Sequence, residues 1–200
     1  MSDSAQLPPA AVTINYQVAD FDTWKSAFDG NRQGRIDHGF VGHHINRAEE
    51  DPNLLSVYLA AGDVAAAQAY VVSDELKALM QDAGVVSPPQ RTWLKPLREA
   101  IVWDRQLPAV IVSHEVEDVD RWLAGYDGAA EMQRSAGIVG HAANQVIDEP
   151  SRVVVYHQAE SFDDLRALLA SAELRAGMEE AGVTSAPEVT FYTGSFGERY

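Results

Sequence analysis

Gly39-Phe40-Val41-Gly42-His43 returns 98 residues later as Gly137-Ile138-Val139-Gly140-His141. Sliding the chain on itself at that offset pairs Val12 to Leu94 without insertion or deletion, and roughly a third of the paired positions are identical. A period this long is that of two domain-sized copies, not of a solenoid. The spacing therefore predicts a fused tandem repeat, residues 1–98 followed by 99–200.

Working outward from that stretch, Val12, Ile14, Tyr16 and Val18 alternate with polar residues, the period of a half-buried strand. Asp20 or Asp22 then offers a helix cap, and Trp24 and Phe28 form an apolar stripe on a helix running toward Asp37. Phe40–Ala48 and Leu54–Ala61 flank turn chemistry at Glu49 to Asn53, so they read as a hairpin. Asp63 and Ser73 are further caps, Gly84 stops the second helical stretch, and Arg91 to Leu97 closes the copy as a strand. The second copy repeats the order: strand Val110–Val116, a helix after Asp118, a hairpin around Pro150, a helix from Ser161 to Ala181, and strand Val189–Thr193. Each copy is thus β-α-β-β-α-β, the ferredoxin-like order, which gives an α+β fold with helices on one sheet face only. The bare faces are expected to cover each other, making an intrachain pseudo-dimer of barrel form, with a homodimer of the full chain as a further option.

Composition narrows the partners. A net charge of −15 and a pI near 4.6 argue against nucleic acid and anionic membrane surfaces, which need clustered Lys and Arg. As far as Arg98 the chain holds 8 basic and 12 acidic residues, leaving 7 and 18 for the remainder, so the second copy has the more acidic surface. Cysteine is absent, which removes disulfide and thiolate chemistry. The first ten residues do not read as a leader, and no apolar run reaches membrane-spanning length, so a soluble cytoplasmic protein is expected.

The segments Asp20-x-Asp22-x-Trp24-x-x-x-Phe28-Asp29, Gly39-x-Val41-Gly42-His43 and Glu75-Leu76-x-x-x-Met80-x-x-Ala83-Gly84-Val85-x-x-x-Pro89, with their copies 98 residues on, resemble the dimeric α/β-barrel superfamily, especially its small antibiotic-biosynthesis-monooxygenase-like proteins. The resemblance implies a range: cofactor-independent oxygenation of polycyclic phenols, polyketide cyclisation, haem degradation, or no catalysis. Haem-degrading relatives are similar in having an Asn on the first strand, which Asn15 matches, and an iron-binding His on the second helix. Residues 63–83 and 161–181 contain no His, so no bound cofactor is expected.

Several residues are candidates for chemistry. His43 and His141 recur in both copies and are either hydrogen-bonded, partly buried histidines near the sheet or ligand-binding groups. His114 and His157 occur only in the second copy, where the first has Tyr16 and Leu59. On strand alternation both face the helices, as acid–base groups in a pocket, as half of a metal site, or as satisfied core histidines. No carboxylate has the spacing to complete a metal shell, and no metal is expected. Tyr58 and Tyr156 fall on the other sheet face with Thr13, Asn15, Gln17, Glu115 and Arg152, a polar and aromatic set that either lines a cavity between the sheets suited to a phenolic or polycyclic ligand or makes a plain inter-sheet interface. Because the second copy gains His114, His157, Glu115 and Arg152, it is the copy expected to work. His114, His157, Tyr156 and Glu115 are the catalytic candidates, and Asn15, Tyr58, Arg152, His43 and His141 the ligand-binding ones. The expected function is that of a small-molecule enzyme or binder, a cofactor-independent monooxygenase or cyclase for an aromatic or polyketide-like metabolite. The alternative is a non-catalytic binding or structural protein. Walker, Rossmann, nucleophile-elbow and zincin motifs are all missing.

Overall fold

A computed structural model describes residues 7–103 and 105–200, with the side chains of 194–196 left aside. The first repeat contains β1 (Ala10–Gln17), α1 (Phe21–Gly30), α2 (Arg32–Asp37), β2 (Phe40–Ala48), β3 (Leu54–Ala61), α3 (Val64–Val71), α4 (Asp74–Asp82) and β4 (Gln90–Ala100). The second contains β5 (Ala109–Glu115), α5 (Val119–Gly128), α6 (Ala130–Ser135), β6 (Ile138–Val146), β7 (Arg152–Ala159), α7 (Phe162–Ala170), α8 (Ala172–Glu180) and β8 (Glu188–Arg199). The fold is α+β, two ferredoxin-like repeats; the pieces after Asp63 and Ser73 are α3 and α4 as expected, whereas the helices expected toward Asp37, after Asp118 and from Ser161 to Ala181 are each divided in two.

The divisions have local causes. Asn31, next to Gly30, closes α1 and opens α2, so the helix expected to run unbroken to Asp37 turns there. The single helix expected from Ser161 to Ala181 stops at Ser171, whose extended backbone lets its hydroxyl accept the Leu174 N–H at 3.0 Å. A side-chain oxygen that satisfies the new helix start competes with continuing the old one. Asp20 and Asp118 cap α1 and α5 through the Thr23 and Arg121 N–H groups at 2.8 and 2.7 Å.

The chain forms two compact units. One is the first repeat as far as Leu94 together with Phe196–Tyr200, and the other is Lys95–Ser195. Both strands at the joints are longer than expected: β4 runs through Ala100, and β8 runs past Thr193 to Arg199. In the first unit the sheet order is β4-β1-β3-β2, with the closing residues of β8 beside β2, where the Tyr200 N–H donates to the Val41 carbonyl at 2.9 Å. In the second the order is β8-β5-β7-β6, with the remainder of β4 beside β6.

The repeated glycine motif now has a physical reading. Gly39 and Gly137 hold φ of 82° and 86°, a left-handed turn that L side chains avoid. Gly42 and Gly140 admit close neighbours: a Cβ on Gly42 would sit 3.0 Å from the Glu198 carbonyl of β8, and one on Gly140 would collide with the Gln158 side chain and sit 3.1 Å from Val102 N, just past β4. Gln158, fully buried beside Gly140, accepts from Val102 N–H at 2.9 Å and donates back to its carbonyl at 3.2 Å.

One face of each sheet packs under the helices. Val12, Ile14 and Tyr16 of β1 with Leu55, Val57 and Leu59 of β3 meet Trp24 and Tyr70 in the first unit. In the second, Val110 and Val112 meet Leu165 and Leu168 while Val153 and Val155 meet Trp122, so Trp24 and Trp122 are both core. No helix among the described residues is long and apolar enough to cross a membrane.

Candidate functional site

In the second unit the helix-side face carries Val110, Val112 and His114 of β5 opposite His157, Val155 and Val153 of β7. Helices α5 to α8 cover this face but leave a cavity of about 160 Å³, walled by Val112, Val155, Leu169, Leu174 and Met178. Its polar or aromatic wall groups are His114, His157, Trp122, Tyr126 and Gln133. The matching cavity of the first unit is about 70 Å³. Smaller side chains stand at several equivalent places: Tyr16, Asn31, Arg35 and Leu79 line the smaller cavity where His114, Ala129, Gln133 and Gly177 line the larger, and a Cβ on Gly177 would meet nothing within 4 Å. Gly in a helix interior is less stable than Ala by roughly 0.5–1 kcal/mol, so α8 gives up stability at the cavity mouth.

The histidines are the unusual part of the wall. His114 is 4% exposed, and among the described residues neither ring nitrogen has a hydrogen-bond partner; the edge of Trp122 lies beside it, 5.8 Å between ring centroids. His157 is 6% exposed with Nδ1 unpaired, while Nε2 lies 3.5 Å from the Tyr126 hydroxyl. That hydroxyl is in turn 2.9 Å from His141 Nδ1, so one tyrosine joins two imidazoles. Burial lowers the His114 pKa to about 4; burial and then the nearby His141 lower that of His157 to about 3, and both rings are neutral at pH 7. Burial also raises the Tyr126 pKa, so its hydroxyl keeps its proton. A neutral imidazole with a free nitrogen in an apolar cavity can accept a proton or a hydrogen bond from a ligand.

These positions decide between the expectations for the pair. His157 faces Val110, four residues from His114 along β5, which separates their Cα atoms by roughly 13 Å and prevents one metal ion from joining them. Among the described residues no three His, Asp or Glu side chains come together as a metal shell. Three of their four ring nitrogens lack partners among the described residues, which a fully hydrogen-bonded core histidine would not show.

The other sequence candidates fall elsewhere. Tyr156 is buried on the opposite sheet face, facing Ile111 and Ala142 across the ladder. Glu115 is exposed at the end of β5, and Arg152 beside it lies within 4 Å of three carboxylates, Glu115, Glu149 and Glu188, at 3.6, 2.9 and 3.5 Å. Neither Tyr156, Glu115 nor Arg152 walls the cavity. Asn15 and Tyr58 also lie on the face away from the helices, and Asn15 Oδ1 is buried without a partner. His43 is buried on the helix side, its Nδ1 2.8 Å from the Tyr200 hydroxyl, with its pKa lowered to about 3 by burial and then by Arg35. His43 and His141 thus each meet a tyrosine hydroxyl, from the chain end in one repeat and from α5 in the other. Tyr126 and Gly177 were not singled out by the sequence reading; the exchanges Phe28 to Tyr126 and Leu79 to Gly177 between the copies were the available signal.

No protein-family model matches the sequence, and no curated protein does. Solved structures do. An anthrone oxidase-like protein superposes with a TM-score of 0.70 at 12% identity, covering 95% of this chain and 92% of its own. A candidate monooxygenase from Lactobacillus acidophilus gives 0.66 at 10%, with 94% of each chain covered. A haem-degrading enzyme from Listeria monocytogenes gives 0.52 at 7%, over 91% of this chain and 99% of that one. The chain therefore has the fold of the antibiotic-biosynthesis-monooxygenase-like proteins over nearly its whole length.

Haem does not fit the cavity found here. A space of roughly 150 Å³ holds one benzene, so 160 Å³ cannot take a porphyrin, several such rings across. The helices α3, α4, α7 and α8 offer no histidine to bind iron.

Proposed function

We propose that the second repeat binds a small, single-ring aromatic molecule in this cavity and acts on it as a cofactor-independent oxygenase or cyclase, with neutral imidazole as the base. The carrying observation is the pair of buried histidines with unpaired nitrogens on an otherwise apolar wall. An unpaired buried polar group costs about 1–3 kcal/mol, and packing does not explain collecting two of them in the one cavity that a helix glycine enlarges. The monooxygenase and anthrone-oxidase descriptions of proteins with this fold support the reaction class.

The ring lies against Trp122 and Tyr126, where aromatic faces stack. His114 accepts a hydrogen bond from an activated C–H or phenolic O–H; burial makes it a weak base on its own, so it takes the proton only as the electron-rich anion develops beside it and stabilises the imidazolium. In the oxygenase form that anion reacts with O2: one ring C–H and the phenolic O–H, or both hydrogens of an activated CH2, are lost as the carbon becomes a carbonyl with one oxygen atom, and the other oxygen leaves with those two hydrogens as water. In the cyclase form it attacks a carbonyl of the same molecule, and the imidazolium returns the proton. The chain Tyr126 to His141 steadies His157 at the far end.

The test is a thermal-shift and oxygen-electrode screen with phenol, catechol and hydroquinone, and anthrone as an oversized control. Single-ring compounds are expected to raise the melting temperature, since ligand at 100 times its Kd stabilises by about 2.7 kcal/mol. His114→Phe should remove the shift. If no single-ring compound binds, or His114→Phe binds all of them as before, the reading is wrong.

A further inference from the structure

The first unit holds a different anomaly. Arg35 of α2 is 3% exposed, yet among the described residues no carboxylate pairs with it. Its Nε donates to the Tyr200 hydroxyl and Nη1 to the Phe28 carbonyl, and its plane stacks 3.7 Å from the Phe28 ring centre. Those partners are neutral. The neighbouring cations are matched: Lys25 has Asp29 at 2.6 Å and Arg32 has Glu198 at 2.7 Å. In a chain with 30 acidic residues, leaving the one buried arginine of this unit without a counter-charge is conspicuous, because buried charges are normally paired.

Arg35 also lines the first unit's cavity, together with Asn31, Tyr16 and Tyr70, while Ile14, Val57, Leu59 and Met80 make the remaining wall apolar. Nη2 makes no hydrogen bond with a described residue. Burial first and then the Arg35 charge keep His43 from gaining a proton, so this guanidinium is felt at the cavity's edge. The second repeat has Gln133 at the corresponding place, neutral and equally buried, which shows that the fold itself does not require the charge. At about 70 Å³, less than half the volume that holds a benzene, the cavity suits a molecule of about three or four heavy atoms.

We infer that the first repeat is an anion site: the Arg35 guanidinium, backed by Asn31, binds the carboxylate of a small organic acid of acetate size, whose methyl end rests on the apolar wall. A guanidinium is the side chain suited to this, since its planar donors match the two carboxylate oxygens. The two repeats then differ in ligand class, an anion in the first and a neutral aromatic in the second.

Calorimetric titration of the full chain with sodium acetate, against acetamide as its neutral match and at constant ionic strength, tests this. Acetate should saturate at one per chain and bind at least tenfold more tightly than acetamide. Arg35→Gln, which installs the second repeat's own residue, should weaken acetate at least tenfold, and His114→Phe should leave it unchanged. Should Arg35→Gln fail to fold, the Arg35 Nε–H resonance of the native protein must shift saturably with acetate. No saturable acetate binding, acetamide binding equally well, unchanged affinity in Arg35→Gln, or an unmoved Nε–H resonance overturns the inference.

Discussion

Gly177→Leu separates stability from binding in opposite directions. Leu79 occupies the equivalent place in the first repeat, so the same fold accepts leucine there, and a Cβ at Gly177 meets no atom within 4 Å. Replacing a helix-interior glycine by a good helix former contributes about 0.8–1 kcal/mol. The two cavities differ by about 90 Å³, the difference between 160 and 70 Å³. At about 24 cal/mol per Å³, filling that space fully would add about 2 kcal/mol. Leu79 is itself 38% exposed, so only part of this second contribution is realised, and the expected gain is about 1–2 kcal/mol. Urea unfolding should show a higher midpoint at unchanged slope, while the melting-temperature shift given by phenol disappears. A destabilised variant, or one that still binds phenol like the parent, refutes the argument that this glycine is kept to make room for a ligand.

Acid should weaken the fold through its buried imidazoles. With its pKa lowered from 6.5 to about 3, His157 refuses a proton that the unfolded chain accepts, so its contribution is intact above pH 6.5 and is lost progressively as pH falls toward 3. At pH 5 the loss is about 2 kcal/mol, from about 1.36 kcal/mol per pH unit. His157→Leu, the first repeat's residue, should lose about 2 kcal/mol less than the parent between pH 7 and pH 5 in urea titrations; equal losses would mean the ring is not held neutral. Titration with hemin should give no sharp Soret band saturating at one or two per chain; such a band, abolished by a single histidine substitution, would contradict the cavity argument.

Much of the fold could be read from local chemistry. The hairpin strands Phe40–Ala48 and Leu54–Ala61 match β2 and β3 residue for residue, because turn residues mark the gap between them. The caps Asp63, Ser73 and Asp118 are likewise self-contained signals. The extension of β8 to Arg199 was not legible: Gly194, Ser195 and Gly197 have poor strand propensity, and pairing partners far away in sequence hold them. For the site, strand alternation put His114 and His157 under the helices, but their missing partners depend on what four separate helices bring near. Arg35 was overlooked because a lone arginine in a polar helix reads as solvated. Its position seven residues after Phe28, on the stripe begun by Trp24, was the clue.

Vectorial synthesis meets a difficulty here. Because Phe196–Tyr200 belong to the first unit, the edge of β2 at Val41 has no proper neighbour until residue 200 has left the ribosome. About 100 further residues must be added after Leu94, which at ~5–20 residues per second is roughly 5–20 s. Through that interval a nascent chain presents an open strand edge, the kind that pairs with another copy. A nearby chain on the same message could donate its own Tyr200 segment there, so domain-swapped dimers are the expected error of rapid overexpression.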